Sequence, residues 1–144
     1  MINKERFIKG ANFYFNMTEA RELTALVVDD EIPILDLLSR ILDKNGIKNV
    51  DTVKTTQKGL DLLEDRVYNL VFTDLNQTPS GIDVYNAATA RGSTVYIITG
   101  FALDMEEVAA RVAKGHFLEK PFRINDVDKL IKDYIAQQNP LSQS

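Results

Sequence analysis

The run Thr24-Ala25-Leu26-Val27-Val28-Asp29-Asp30-Glu31 decides how the rest of the chain is read. A short apolar stretch precedes three acids. A continuous apolar run suits a strand buried on both faces, whereas a half-exposed strand alternates apolar with polar residues. The abrupt change to Asp29 sets charge just beyond the carboxyl end of that strand.

The pattern extends downstream. Pro33 suits the first turn of a helix, and Ile34, Leu37, Leu38, Ile41 and Leu42 recur at the spacing of a core-facing stripe. Asn45-Gly46 stops that helix. Residues 49–53 form a weak second strand, and Thr56–Asp65 a short second helix. Leu70–Thr73 is a third strand that ends at Asp74. Gly81–Arg91 reads as a third helix closed by Gly92. Val95–Thr99 is a fourth strand rich in β-formers. Asp104 with Glu107 resembles a capping box, with Asp in place of Ser or Thr, opening a fourth helix to Ala113. His116–Leu118 is a short fifth strand. Asn125 is expected to cap the fifth helix, whose stripe is Val127, Leu130, Ile131, Tyr134 and Ile135. Residues 139–144 form a polar tail.

Strands alternating with helices in this way imply an α/β fold, a doubly wound parallel sheet covered on both faces. Ligands of such sheets bind beyond the carboxyl ends of the strands, at a topological switch point. The strand ends carry a consistent set of side chains: Asp29-Asp30-Glu31, then Asp74, then Thr99-Gly100, then Glu119-Lys120-Pro121. Two carboxylates about 4 Å apart repel by roughly 4 kcal/mol at an effective dielectric of about 20. Several together call for a cation. The chain has no cysteine and one histidine, His116, so a soft or His-rich metal site is excluded. Mg²⁺ suits what remains, since it takes carboxylates, waters and phosphate oxygens. Lys120 would balance the acids or meet an incoming phosphoryl group, and Thr99 offers a hydroxyl. These are the parts of a phosphoryl-transfer site, where catalysis is mostly positioning and charge neutralisation. Each part alone has an ordinary reading. An Asp after a strand commonly caps a turn, Thr is a β-former, and Lys-Pro carries little meaning. Their joint placement at successive strand ends carries the functional reading.

Bulk properties agree. The chain has 144 residues, enough for one compact domain, and 44% hydrophobic residues, enough for a core. The net charge of −4 and the absence of a basic run argue against a nucleic-acid partner. Apolar stretches such as Val95–Thr99 are too short to span a bilayer, and the first residues lack the apolar core of a signal peptide. A cytoplasmic location and no membrane partner are expected. Residues 1–22 read as an N-terminal extension of unclear origin. They carry Phe7, Phe13, Tyr14 and Phe15 without a sustained period, and Met17 opens a stretch like an ordinary start. These residues are either an upstream extension or aromatics that dock on a surface.

Four segments together resemble the receiver domain of two-component response regulators. They are Val27-Val28-Asp29-Asp30-Glu31, Leu70-Val71-Phe72-Thr73-Asp74-Leu75-Asn76, Ile97-Ile98-Thr99-Gly100 and Phe117-Leu118-Glu119-Lys120-Pro121-Phe122. The resemblance places the receiver domain at residues 23–138. It implies a flavodoxin-like sheet of five parallel strands in the order 2-1-3-4-5. It also implies that Asp74 is the phosphoacceptor, that Thr99 and Lys120 bind phosphoryl oxygens, and that Phe117 is the switch aromatic. Mg²⁺ would be held by Asp29, Asp30, Asp74 and the backbone carbonyl of Asn76. The Lys120-Pro121 peptide is often cis in the family. The implied donor is a histidine kinase or phosphotransfer protein. The response would fall on the surface of the fourth helix, fifth strand and fifth helix, toward an unidentified downstream protein, with a homodimer through that surface left open. Phe101, two residues beyond Thr99, would hinder attacking water and lengthen the phosphorylated state.

The sequence departs from the family pattern in two places. The segment from Asp74 to Gly81 is about one residue shorter than usual. The third helix carries Ala87, Ala88 and Ala90 where larger residues are common. These departures favour a second reading, a receiver fold used for docking or dimerisation without phosphorylation. A hydrolase of the haloacid-dehalogenase kind fits worse, because its nucleophile sits on the first strand with an acid two residues on. Neither the kinase, the pathway nor the wider protein is legible, and a stand-alone receiver and a piece of a longer chain fit equally.

Overall fold

The computed structural model describes residues 5–8, 13–16, 19–100, 108–112 and 116–138. Near the N-terminus, β1 (Glu5–Ile8) pairs antiparallel with β2 (Phe13–Asn16), with Glu5 opposite Asn16 and Ile8 opposite Phe13. Periodicity alone predicts no element there. The run of Phe13, Tyr14 and Phe15 is nonetheless β-forming in composition.

The central domain follows as β3 (Thr24–Val28), α1 (Ile32–Lys44), β4 (Asn49–Val53), α2 (Thr56–Asp65), β5 (Leu70–Asp74), α3 (Gly81–Thr89), β6 (Thr94–Thr99), β7 (Phe117–Glu119) and α4 (Ile124–Gln137). Its five strands are all parallel and run in the order β4-β3-β5-β6-β7. That is the expected order 2-1-3-4-5. The strand period of two divides the core between the faces. Ala25, Val27, Leu70 and Phe72 meet Leu38 and Leu42 of α1 and Val127 and Ile131 of α4. Leu26, Val28, Val71 and Val95 meet Leu63 of α2 and Val84 and Ala88 of α3. Strands β3 and β5 are buried on both faces because they are central, which is why they read as continuous apolar runs.

Several boundaries differ from expectation. On α1 the buried residues are Leu35, Leu38, Ile41 and Leu42, while Ile34 and Leu37 are half-buried, so Leu35 joins the centre of the stripe. Asn125 does not cap the last helix. Arg123 is the N-cap, in extended conformation, and its carbonyl accepts from Asp126 and Val127 N–H. Asn125 is already inside the helix and exposed. The strand predicted at His116–Leu118 lies at Phe117–Glu119. The helix predicted at Asp104–Ala113 falls largely outside the described residues, of which Val108 and Val112 are buried.

Two caps not anticipated from the sequence set the helices over the sheet. The Thr55 hydroxyl accepts from Lys58 N–H at the start of α2, and the Ser80 hydroxyl from Ile82 N–H at the start of α3. Replacing Thr55 with Ala leaves a first-turn N–H without its partner. It should lower stability by about 1 kcal/mol, read as a lower urea midpoint at unchanged slope.

Candidate functional site

The strand order places β4 on one side of β3 and β5 on the other, so the chain reverses its winding between β3 and β5. The carboxyl ends of these two strands carry Asp29 and Asp74. Asp29 is fully buried and Asp74 is 7% exposed. Between them opens a cleft of about 290 Å³, lined by Asp30, Glu31, Asp74, Asn76, Gly100 and Lys120. A ligand cleft at this position is what the topology of an open α/β sheet favours.

Backbone bonds hold the acidic turn. Asp29 Oδ1 accepts from Glu31 N–H at 2.8 Å. Carboxylate oxygens of Asp29, Asp30 and Glu31 lie within 4.8 Å of one another. Lys120 reaches them from the other side of the sheet. Its backbone N–H donates to the Thr99 carbonyl at 2.8 Å, and the following peptide bond to Pro121 is cis. Its ammonium lies 2.7 Å from Glu31 Oε2 and 3.0 Å from Asp29 Oδ2. The second contact is an ion pair without hydrogen-bond direction, so Asp29 Oδ2 is buried with no hydrogen-bond partner. Thr99 is fully buried at the end of β6. Asp74 Oδ1 accepts from Asn76 N–H at 3.3 Å, and Gln77 Nε2 lies 3.5 Å from Asp74 Oδ2.

These surroundings move the protonation equilibria. Burial pushes the Asp29 carboxyl above its ordinary value, with help from the charge of Asp74, against the opposing Glu31 N–H and Lys120. For Lys120, burial works to lower the value, but Glu31, Asp29 and Asp74 outweigh it and the net shift is upward.

The structure brings Asp29, Asp30, Asp74, Thr99 and Lys120 to one edge of the sheet. The carboxylates that cluster are Asp29, Asp30 and Glu31, and Lys120 leans toward that cluster. Glu31 is legible as a third consecutive acid, yet the sequence reading assigns it no role. Gln77 leaves no signal in the sequence, because its place depends on the path of the loop. Phe117 is half-buried against Leu75, Ile82, Ile97, Val108 and Val112. Phe101 lies outside the described residues.

The donor set is all oxygen and contains one buried carboxylate oxygen, Asp29 Oδ2, that meets the Lys120 ammonium as an ion pair. That combination fits a hard divalent cation such as Mg²⁺. The model of the response regulator receiver domain family matches residues 25–132. The chain belongs to this family. Among relatives of the receiver domain, a probable chemotaxis protein CheY of Rhizobium etli is 27% identical over 122 residues, covering 81% of this chain and 95% of the relative. A CheY-like receiver domain protein from Methanospirillum hungatei JF-1 is similar at a TM-score of 0.69 and 27% identity, over 81% of this chain and 95% of that one. The beryllofluoride-activated NtrC4 receiver domain dimer gives a TM-score of 0.66 at 27% identity, over 81% and 98%. Receiver domains are signalling modules, generally not enzymes, and typically bind Mg²⁺ at an acidic cluster.

In this receiver domain the buried acid carries a testable cost. A carboxyl whose folded pKa is raised stabilises the fold below its unfolded value, and that contribution is lost as pH rises through the raised folded value. Asp29→Asn removes that loss. With a chelator present at neutral pH, the variant should be more stable than the parent, because the net upward shift means that the ionised carboxylate is disfavoured in the fold. Its stability should fall less than the parent's between the acid range and neutrality. Urea titrations at several pH values would show it, and a variant less stable than the parent at neutral pH would refute the account.

Proposed function

We propose that the chain is a phosphoacceptor switch in which Asp74 takes a phosphoryl group from a histidine kinase or phosphotransfer protein. One observation carries this reading. A nearly buried carboxylate stands at the switch point of the sheet, in one cleft with two further acids and a lysine ammonium. An Asp74 oxygen attacks phosphorus in line, the phosphorus–nitrogen bond of the donor phosphohistidine breaks, and the electron pair leaves with the imidazole. Bound Mg²⁺, held by Asp29, Asp30, Asp74 and the Asn76 carbonyl, would offset charge on the phosphoryl oxygens. The Lys120 ammonium, now shared between Glu31 and Asp29, is close enough to Asp74 to feel its charge and turns to a phosphoryl oxygen. The Thr99 hydroxyl donates to another. Movement of Thr99 and repacking of Phe117 against the cluster around Ile97 then shift a pre-existing equilibrium of the surface beside β7 and α4. The switch acts in the cytoplasm on a protein target. The dimeric state of the NtrC4 receiver supports a homodimer as one form of output.

The docking reading draws on a different observation. Lys120 pairs with Glu31 and Asp29, so the acidic cluster is part-neutralised from within the chain. Incubation with Mg²⁺ and acetyl phosphate separates the two. The switch gains one phosphoryl group in intact mass. A folded protein that gains none, with Mg²⁺ present, is a docking module.

A further inference from the structure

The geometry points to Gln77 as a positioning residue that speeds release of the phosphoryl group from Asp74, an inference that rests on the phosphoacceptor reading above. Gln77 lies three residues beyond Asp74, in the shortened loop. Its side-chain amide makes three contacts. Oε1 accepts from Thr56 N–H at 2.8 Å. Nε2 donates to the Lys54 carbonyl at 3.0 Å and stands 3.5 Å from Asp74 Oδ2. An amide nitrogen has two N–H donors. The two shorter bonds fix which way the amide faces, since a flip would set its NH₂ against Thr56 N–H and its oxygen against the Lys54 carbonyl. One N–H is given to Lys54, and the other remains for Asp74. The loop and start of α2 therefore hold this donor in place.

Asp74 differs as an acceptor in its two states. The free carboxylate spreads a full charge over both oxygens. In the acyl phosphate one oxygen is bonded to phosphorus and the other is a carbonyl, and both accept more weakly. A donor held in position favours the ionised state, because hydrogen bonds to charged acceptors are the stronger ones. In hydrolysis the oxygen of a water bonds to phosphorus as the bond from Asp74 oxygen to phosphorus breaks. The electron pair of the broken bond stays on Asp74, inorganic phosphate departs, and a proton of the water passes to solvent. Negative charge grows on Asp74 during this step, where Asn76 N–H and Gln77 Nε2 both stand. A contact that strengthens as charge develops lowers the barrier.

The test follows decay of the phosphorylated protein by intact mass, after labelling with acetyl phosphate and Mg²⁺ and removal of the excess. Gln77→Leu should slow decay about five-fold. Ser80→Ala removes a different hydrogen bond of the same loop, the one that the Ser80 hydroxyl accepts from Ile82 N–H, without touching Gln77 or Asp74. It should decay within about two-fold of the parent. By NMR, one of the two Gln77 side-chain amide protons should move on phosphorylation of the parent, and the proton bonded to Lys54 should stay. If Gln77→Leu does not fold, Gln77→Glu keeps an acceptor for Thr56 N–H while removing the donor, and should also slow decay. Decay of the Gln77 variant at the parent rate, equal slowing in Ser80→Ala, or unmoved Gln77 amide protons would each overturn the inference and leave the phosphoacceptor reading standing. A parent that takes up no phosphoryl group overturns both.

Discussion

Asp74→Asn is expected to gain no phosphoryl mass from acetyl phosphate and Mg²⁺ under conditions in which the parent gains one group per chain. The argument is chemical. An amide nitrogen or oxygen is a far poorer nucleophile than a carboxylate, and loss of a reacting group of this kind costs at least about a thousand-fold in rate. The fold should not suffer. Asn has the shape of Asp, its oxygen can still accept from Asn76 N–H, and the substitution removes a negative charge that helps raise the Asp29 pKa. Loss of labelling in a variant as stable as the parent therefore reports on chemistry. Labelling of the variant to the parent's level would assign the nucleophile elsewhere, with Asp30 and Glu31 in the same cleft as the first candidates.

Gly81→Ala should be the most damaging single methyl group in the described region near the site. Gly81 opens α3 and is buried, and its N–H donates to the Leu75 carbonyl at 3.0 Å. A Cβ there would stand 2.2 Å from the Asp74 carbonyl oxygen and 2.8 Å from Leu75 Cα. Both neighbours are backbone, so no side chain can swing aside. The loop closes with the start of α3 directly against the backbone of Asp74 and Leu75. Overpacking of this kind costs about 3 kcal/mol. Relief requires the loop to move, which displaces Asp74 and should slow adduct formation as well. Gly92 supplies the contrast. Its φ is +90° but a Cβ there meets nothing within 4 Å. Gly92→Ala should cost about 1 kcal/mol through backbone strain and leave adduct formation unchanged. Urea midpoints and labelling rates for the pair check both statements. Equal behaviour of the two variants would mean that the loop has slack to absorb the methyl.

The local pattern of the chain determined a large part of this protein. Side-chain alternation and helical spacing are properties of a few consecutive residues. Thr24–Val28 was therefore legible as a strand buried on both faces, Leu70–Thr73 as a strand, and Val127, Ile131 and Tyr134 as the inner face of the last helix. The ends of four of the strands also indicated which residues share an edge: Asp29, Asp30, Asp74, Thr99 and Lys120. The order of the strands was legible only through resemblance to a family. Other features were decided by tertiary structure. The pairing of Lys120 with Glu31 joins residues 89 apart, and the bond from Thr56 N–H to Gln77 joins residues 21 apart. The start of α3 against the Asp74 carbonyl depends on how the loop after Asp74 is closed, and the choice of Arg123 over Asn125 as the last cap depends on where the chain leaves β7. Such contacts are set by the packing of whole elements, and two residues brought together in that way leave no mark on the few neighbours that a sequence pattern can read.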